Sequence, residues 1–296
     1  MLPPAVARLA ARLRANRRLW RWTVRIAVLA VVVPVLLQWI LGYLLGSDTR
    51  LLPTELQSAK NLLIVTAHPD DECLFFSPAI LGVLDRNRQI NGGLIVMSTG
   101  NNEGIGETRK KELKGSCESL GINPARCIAL DHAELQDNPK VWWNTDIIEG
   151  IVKDYVKKWA IDAIITFDEG GVSGHINHRA VSAAVSHYAA TDPKAPPTYM
   201  LKTTWLIRKY TILGDLPLTA LPFTWRMLEA VFFPTRTADA SYGNKAITAN
   251  SWGRYLRTRQ AFRSHDTQYS WDRHLYMILS RYVWFNDLVR VAKAAN

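Results

Sequence analysis

The chain has 296 residues, 48% of them hydrophobic and 21% charged, with a formal net charge of +10. That composition supports one large domain or two small ones with a proper core, and it excludes a disordered chain. The charge is concentrated in Arg8, Arg12, Arg14, Arg17, Arg18, Arg21 and Arg25, and a basic arm set against an apolar segment meets anionic lipid headgroups more often than nucleic acid.

After this basic arm (1–25), residues 26–45 are nearly all apolar and carry no charge. Helical residues at about 1.5 Å rise cover a bilayer core of about 30 Å in this length. Trp20, Trp22, Trp39 and Tyr43 stand near its ends, where amphipathic rings prefer the interface. The segment reads as a membrane anchor, and Pro34 and Gln38 allow a kinked or re-entrant course. Residues 46–60 form a polar linker, and a catalytic domain fills 61–296.

Within that domain, Asn61–Thr66, 93–98, 126–130 and 162–167 read as short buried strands. Residues 72–88, 107–120, 145–159 and 175–190 have helical spacing, the second ending at Gly121 as a C-cap. Alternating strands and helices predict an α/β fold, a mostly parallel sheet with helices on both faces. Residues 198–207 add one more strand. Residues 213–235 are apolar and aromatic but broken by three prolines, Arg226 and Glu229. They are a surface-lying amphipathic element that dips into a bilayer, or a Pro-broken piece of core. The final stretch, rich in Arg, Trp and Tyr, reads as helical. Cys73, Cys117 and Cys127 give no disulfide framework, and the chain has no Asn-x-Ser/Thr sequon. Both absences fit a catalytic domain in a reducing, non-glycosylating compartment.

Two strands run into polar clusters. The first leads into His68, Asp70, Asp71 and Glu72; the fourth leads into Asp168 and Glu169, then His175 and His178. Strand ends of a parallel sheet open on one crevice. A catalytic zinc site needs three protein ligands and a position for water. His68 and Asp71 flank a tight turn, and His178 from a second loop completes the set. Asp70 is then left to take a proton from water, and His175 to stabilise an oxyanion or protonate a leaving amine. Separately, each cluster has a plainer explanation: acidic residues cap helix N-termini, and paired histidines occur on ordinary surfaces. Their convergence favours metal chemistry. His132, His187 and His274 read as structural or surface residues. No GxGxxG follows the first strand, which sets aside a nucleotide-binding Rossmann protein.

The segment Ala67-His-Pro-Asp-Asp-Glu72 resembles the signature of the LmbE-like deacetylases. Ser98-Thr-Gly-Asn-Asn-Glu-Gly-Ile-Gly-Glu107 with Thr-Arg-Lys-Lys-Glu-Leu113, and Thr166-Phe-Asp-Glu-Gly-Gly-Val-Ser-Gly-His-Ile-Asn-His178, narrow the resemblance to the PIG-L branch. Ala261-Phe-Arg-Ser-His-Asp-Thr-Gln268 is similar to that branch's C-terminal His-x-Ser-Gln element, with Thr267 in place of Ser. The resemblance runs from about residue 61 nearly to the C-terminus.

It implies a Rossmann-like fold and a zinc ion or other divalent metal. It also implies removal of acetate from N-acetylglucosaminyl-phosphatidylinositol (GlcNAc-PI), an early step of GPI-anchor synthesis. His68, Asp71 and His178 match the metal ligands, Asp70 the general base, and His175 the residue that steadies the tetrahedral intermediate. Arg109 is a candidate for the substrate phosphate or inositol; the alternative is a helix-surface pair with Glu112. The expected partners are this glycolipid and a membrane, with no nucleic acid. Two rival readings are a deacetylase of another amidosugar and an inactive membrane adaptor. The resemblance implies a single-pass endoplasmic-reticulum enzyme facing the cytosol, whereas the basic arm, by the positive-inside rule, puts the domain in the lumen. A re-entrant break at Pro34 would reconcile the two.

Overall fold

The computed structural model describes Pro3, Val6 and residues 17–86 and 89–294. The rest of the basic arm before Arg17 lies outside the described residues. Strands β1 (Asn61–Thr66), β2 (Asn91–Val96), β3 (Cys127–Ala129), β4 (Ala163–Phe167), β5 (Thr198–Leu201), β6 (Lys245–Ala249) and β7 (Phe285–Arg290) form one sheet. Their order is β3-β2-β1-β4-β5-β7-β6. The first five in that order run parallel, and β7 is antiparallel to both β5 and β6. This is the mostly parallel sheet that the alternation predicted, in the Rossmann-like form that the resemblance implied. In β1 all but Asn61 is buried, and β4 is buried throughout, as continuous apolar runs require when helices cover both faces.

The chain leaves β1 towards β2 and β3 on one side, then returns to β4 and β5 on the other. The crevice where the order reverses lies between the C-terminal ends of β1 and β4, the usual ligand site of such sheets. Both polar clusters follow these two strands.

Several boundaries differ from the sequence reading. The single helix expected over 72–88 is two helices, Asp71–Leu74 and Ser77–Leu84, with Pro78 in the first turn of the second; 87 and 88 lie outside the described residues. A proline without an N–H starts a helix more readily than it continues one. The helix Gly106–Leu120 does end at Gly121, whose φ of +78° reverses the chain. Strand β5 stops at Leu201, and a short helix, Leu206–Lys209, takes the place of its expected continuation. The final stretch contains the helices Trp252–Arg263 and Trp271–Leu279 but closes with β7. Its partner β6 lies far back in the chain, so no hairpin signal marks the pair. Cys117 and Cys127 are disulfide-bonded, with Cα atoms 6.4 Å apart. This corrects the reading of three unpaired cysteines: helix Gly106–Leu120 lies beside β3 and brings the two side chains together.

The apolar N-terminal segment is a helix, Arg17–Trp39, that continues as a π-helical turn, Ile40–Leu44. It is long and apolar enough to cross a membrane. It runs on through Pro34, so the break that a re-entrant loop needs is not there. Ile26, Val28, Leu29, Val31 and Leu36 are exposed along it. Its last turns dock on the domain. Leu37, Ile40, Leu41 and Leu45 pack with Leu216, Ala220, Phe223, Ile247 and Phe285 in a second apolar cluster beside the main core. Gln38 donates to the Asn250 carbonyl, and Tyr43 Oη accepts from the Trp252 N–H at 2.9 Å. Residues 213–235 are part core and part exposed surface. Leu216, Phe223 and Ala230 are core, while Leu218, Leu221, Trp225, Leu228 and Phe232 face outward.

Candidate active site

The turn after β1 is organised by Asp71, whose Oδ2 accepts from the backbone N–H groups of Ala67 (3.0 Å) and His68 (2.8 Å). Asp70 sits at φ 112°, a backbone region that L-residues rarely adopt and that often marks a functional turn. His68 Nε2 lies 3.1 Å from Asp137 Oδ1 and 3.3 Å from Asn177 Oδ1. Both partners are acceptors, so that nitrogen carries the proton and Nδ1 carries the lone pair. His178 Nδ1 lies 2.9 Å from the Gly171 carbonyl, which leaves Nε2 as its free acceptor. The two lone-pair nitrogens are 3.2 Å apart. Asp71 Oδ1 is 3.3 Å from His178 Nε2, and Asp71 Oδ2 is 3.9 Å from His68 Nδ1.

With both rings neutral, His68 Nδ1 and His178 Nε2 turn their lone pairs on each other with the Asp71 carboxylate beside them, and one ligand atom each of His68, His175 and His178 lies within 4.8 Å of the other two. That arrangement is repulsive unless a cation joins it, and two imidazoles with a carboxylate suit a catalytic divalent metal. The Asp137 and Gly171 contacts orient the rings from behind, as outer-shell partners of metal-bound histidines do. Burial alone would keep Asp71 protonated, but His178 and His68 hold its pKa well below the carboxylate range. Burial opposes charge on His68, yet Asp137 and Asp71 outweigh it and raise its pKa.

His68, Asp70, Asp71, Arg109, His175 and His178 all line one cavity of about 660 Å³, together with Asp137. That volume falls within the range of small-molecule sites. A family model described as PIG-L: GlcNAc-PI de-N-acetylase matches residues 63–189. An N-acetylglucosaminyl-phosphatidylinositol de-N-acetylase of Bos taurus is 37% identical over 228 residues, covering 76% of this chain and 81% of that protein. The chain belongs to the PIG-L family. The enzyme of the same name from Saccharomyces cerevisiae is 31% identical over 246 residues, covering 76% and 79%. The fold is shared with a deacetylase of the teicoplanin biosynthesis pathway: TM-score 0.52, 12% identity, 80% of this chain and 99% of that one.

Around His68, Asp71 and His178 stand further titratable groups. Burial pushes the Asp70 carboxyl above its ordinary value, and Arg109, 3.6 Å away, only partly offsets this. A more basic carboxylate suits a proton acceptor. His175 is half-buried; burial and the neighbouring His68 and His178 lower its pKa to about 4. Its Nδ1 accepts from the Asn177 N–H at 3.3 Å. The neutral ring then bears its proton on Nε2, the form that donates to an oxyanion.

Arg109 is buried and donates to the carbonyls of Gly100 (3.1 Å) and Pro69. Gly100 has φ +67°, and a Cβ there would lie 2.3 Å from the guanidinium, so the position requires glycine. Glu112 does not pair with Arg109. It accepts from the N–H and hydroxyl of Thr267, both at 2.8 Å, so threonine keeps the hydroxyl of the usual serine.

The reading of the residues assigned no role to three side chains. Asp137 has no signature around it. Glu72, fully buried, accepts from the Asp70 N–H at 3.0 Å and from Ser116, and meets His265 Nε2 at 2.8 Å. The C-terminal His265 element thus holds the Asp70 turn from behind, and only its place in the quoted motif pointed to it. Asp168 accepts from the Thr203 N–H at 2.6 Å and supports a neighbouring loop. His187 pairs with Glu149 at the surface, while His132 and His274 bond within their own turns.

Proposed function

We propose that this chain hydrolyses the N-acetyl group of GlcNAc-PI, giving acetate and glucosaminyl-phosphatidylinositol, with zinc or another divalent metal held by His68, Asp71 and His178. The observation that carries the reading is the cluster of His68, His175 and His178 with the Asp71 carboxylate against it, beside an Asp70 more basic than an ordinary carboxylate. The metal, when bound, would lower the pKa of a water and polarise the acetamide carbonyl. Asp70 accepts a proton from water as its oxygen attacks the carbonyl carbon. The His175 Nε2–H donates to the oxygen that becomes negative. Protonated Asp70 returns its proton to the sugar nitrogen, and the C–N bond breaks. Arg109, on the cavity wall, keeps Asp70 in place and can meet the substrate's inositol through its unpartnered Nε.

The anchor helix and the named relatives support a lipid substrate in a membrane, and the activity implies the endoplasmic reticulum. We place the catalytic domain on the cytosolic face, supported by the resemblance and the sequon-free sequence; the basic arm and the Cys117–Cys127 bond argue for the lumen. Efficient glycosylation of a sequon engineered into an exposed loop would reverse the placement. The activity itself is tested by acetate release from GlcNAc-PI in detergent. Chelation abolishes it and zinc restores it if the reading holds. No release from folded, metal-loaded protein would refute it.

A further inference from the structure

The proposed hydrolysis uses the side chains at the ends of β1 and β4, but the same cavity is also lined by Lys209 and Arg273. Lys209 ends the short helix Leu206–Lys209 and is only 6% exposed. Its ammonium lies 5.5 Å from the ring centroids of Tyr210 and Tyr276 and 5.8 Å from that of Phe75. Ring faces favour a cation but use none of its directed donors. Among the described residues its side chain has no hydrogen-bond or ion-pair partner. Nearby arginines each have an anion, as Lys209 does not: Arg208 and Arg281 bond Asp215, and Arg109 pairs with Asp70 and bonds two carbonyls. Burial and the charge of Arg273 lower the Lys209 pKa to about 8. Asp70 and Asp272 line the same cavity and act on Arg273, but a buried ammonium with its own donors unspent and no carboxylate in ion-pair reach is unfavourable until a ligand supplies the anion.

We propose that Lys209, with Arg273 beside it, binds the phosphate of the substrate, so that the cavity selects an acetamido sugar carried on a phosphate ester. The proposal rests on the deacetylase reading and names its second recognition point. Lysine is a good partner for phosphate as a point charge. The lipid-linked phosphodiester is the natural source. Trp205, Leu206 and Ile207 are exposed on the segment that carries Lys209, and Trp271, Leu275 and Ile278 on the helix that carries Arg273. A phosphate held between these segments has apolar side chains at hand for the acyl chains attached to it.

Three substrates separate the contributions: GlcNAc-PI in mixed micelles, soluble GlcNAc-inositol phosphate, and GlcNAc-inositol without phosphate. The wild-type protein should prefer both phosphate-bearing compounds. Lys209→Gln should reduce that preference about 10- to 100-fold, chiefly through KM, and Lys209→Arg should restore much of it. A preference unchanged in Lys209→Gln would overturn the proposal. A loss confined to the micellar substrate would also overturn it, by assigning Lys209 to the lipid surface. Calorimetric titration with soluble GlcNAc-inositol phosphate needs no turnover. If the wild type releases acetate from none of the three, the deacetylase reading fails, and equal binding by wild type and Lys209→Gln would then refute this assignment as well.

Discussion

Two walls of one cavity differ in how they treat charge. At the ends of β1 and β4, Asp70 faces Arg109, Asp71 faces His178, His68 faces Asp137 and Glu72 faces His265. In the wall made by 205–210 and 271–279, Lys209 is buried among rings without an anion, and large apolar side chains point outward. The first wall is fixed before anything binds, as chemistry that depends on placement within a fraction of an ångström requires. The second is left with unspent donors and exposed apolar surface, both of which a ligand or bilayer can use.

Substitutions in the first wall should therefore remove activity, and those in the second should change what is bound. The largest effect is expected for His68→Ala, which should lose both bound metal and turnover; wild-type metal content by mass spectrometry would refute the ligand assignment. Asp70→Asn should keep the metal and lower kcat about 10²- to 10⁴-fold, the usual contribution of a general base.

Next comes the buried pair behind Asp70. Glu72→Ala leaves His265 buried without its partner and should cost about 3–5 kcal/mol in chemical denaturation. The pair also has a pH signature. Glu72 titrates below its ordinary 4.5 because His265 outweighs the burial that opposes its charge. Its contribution is full above about 4.5 and is lost as pH falls through the lowered value. His265 is raised above 6.5, since Glu72 outweighs burial there too. Its contribution is full below about 6.5 and is lost as pH rises through the raised value. In Glu72→Ala both flanks of the stability–pH curve should flatten.

Asp137→Asn should weaken metal affinity about 10- to 100-fold with little change in folding, the range for a partner that orients a ligating histidine. The smallest effect belongs to the outer wall. Trp205→Ser with Leu206→Ser should leave stability within about 0.5 kcal/mol, yet raise KM for GlcNAc-PI in mixed micelles without raising it for soluble GlcNAc-inositol phosphate. An equal change for both substrates, or none, would show that this face does not meet the lipid.

The parallel half of the sheet could be read directly from the chain. Strand β1 and helix Thr145–Trp159 lie where their patterns put them, because a strand buried on both faces and an amphipathic helix leave local signals. The two polar clusters were equally visible, since each immediately follows a buried strand. Strands β6 and β7 were not, because they pair across a long stretch of intervening chain. Asp137 was invisible for a related reason: a loop aspartate gains meaning only when it meets the Nε2 of His68. The same holds for Cys117 and Cys127, whose spacing matches no framework and whose contact depends on where a helix lies beside β3.

The sequence by itself determined the long apolar N-terminal helix, the order of the strands through β5, and the residue types of a metal hydrolase, since these depend on neighbours within a few positions. Only the tertiary structure decided which atoms face one another. It brought His68 Nδ1 and His178 Nε2 together beside Asp71, set His265 behind Glu72, and left Lys209 buried without an ion-pair partner. Those relations arise from chain segments up to nearly two hundred residues apart, and packing, not local pattern, brings such segments together.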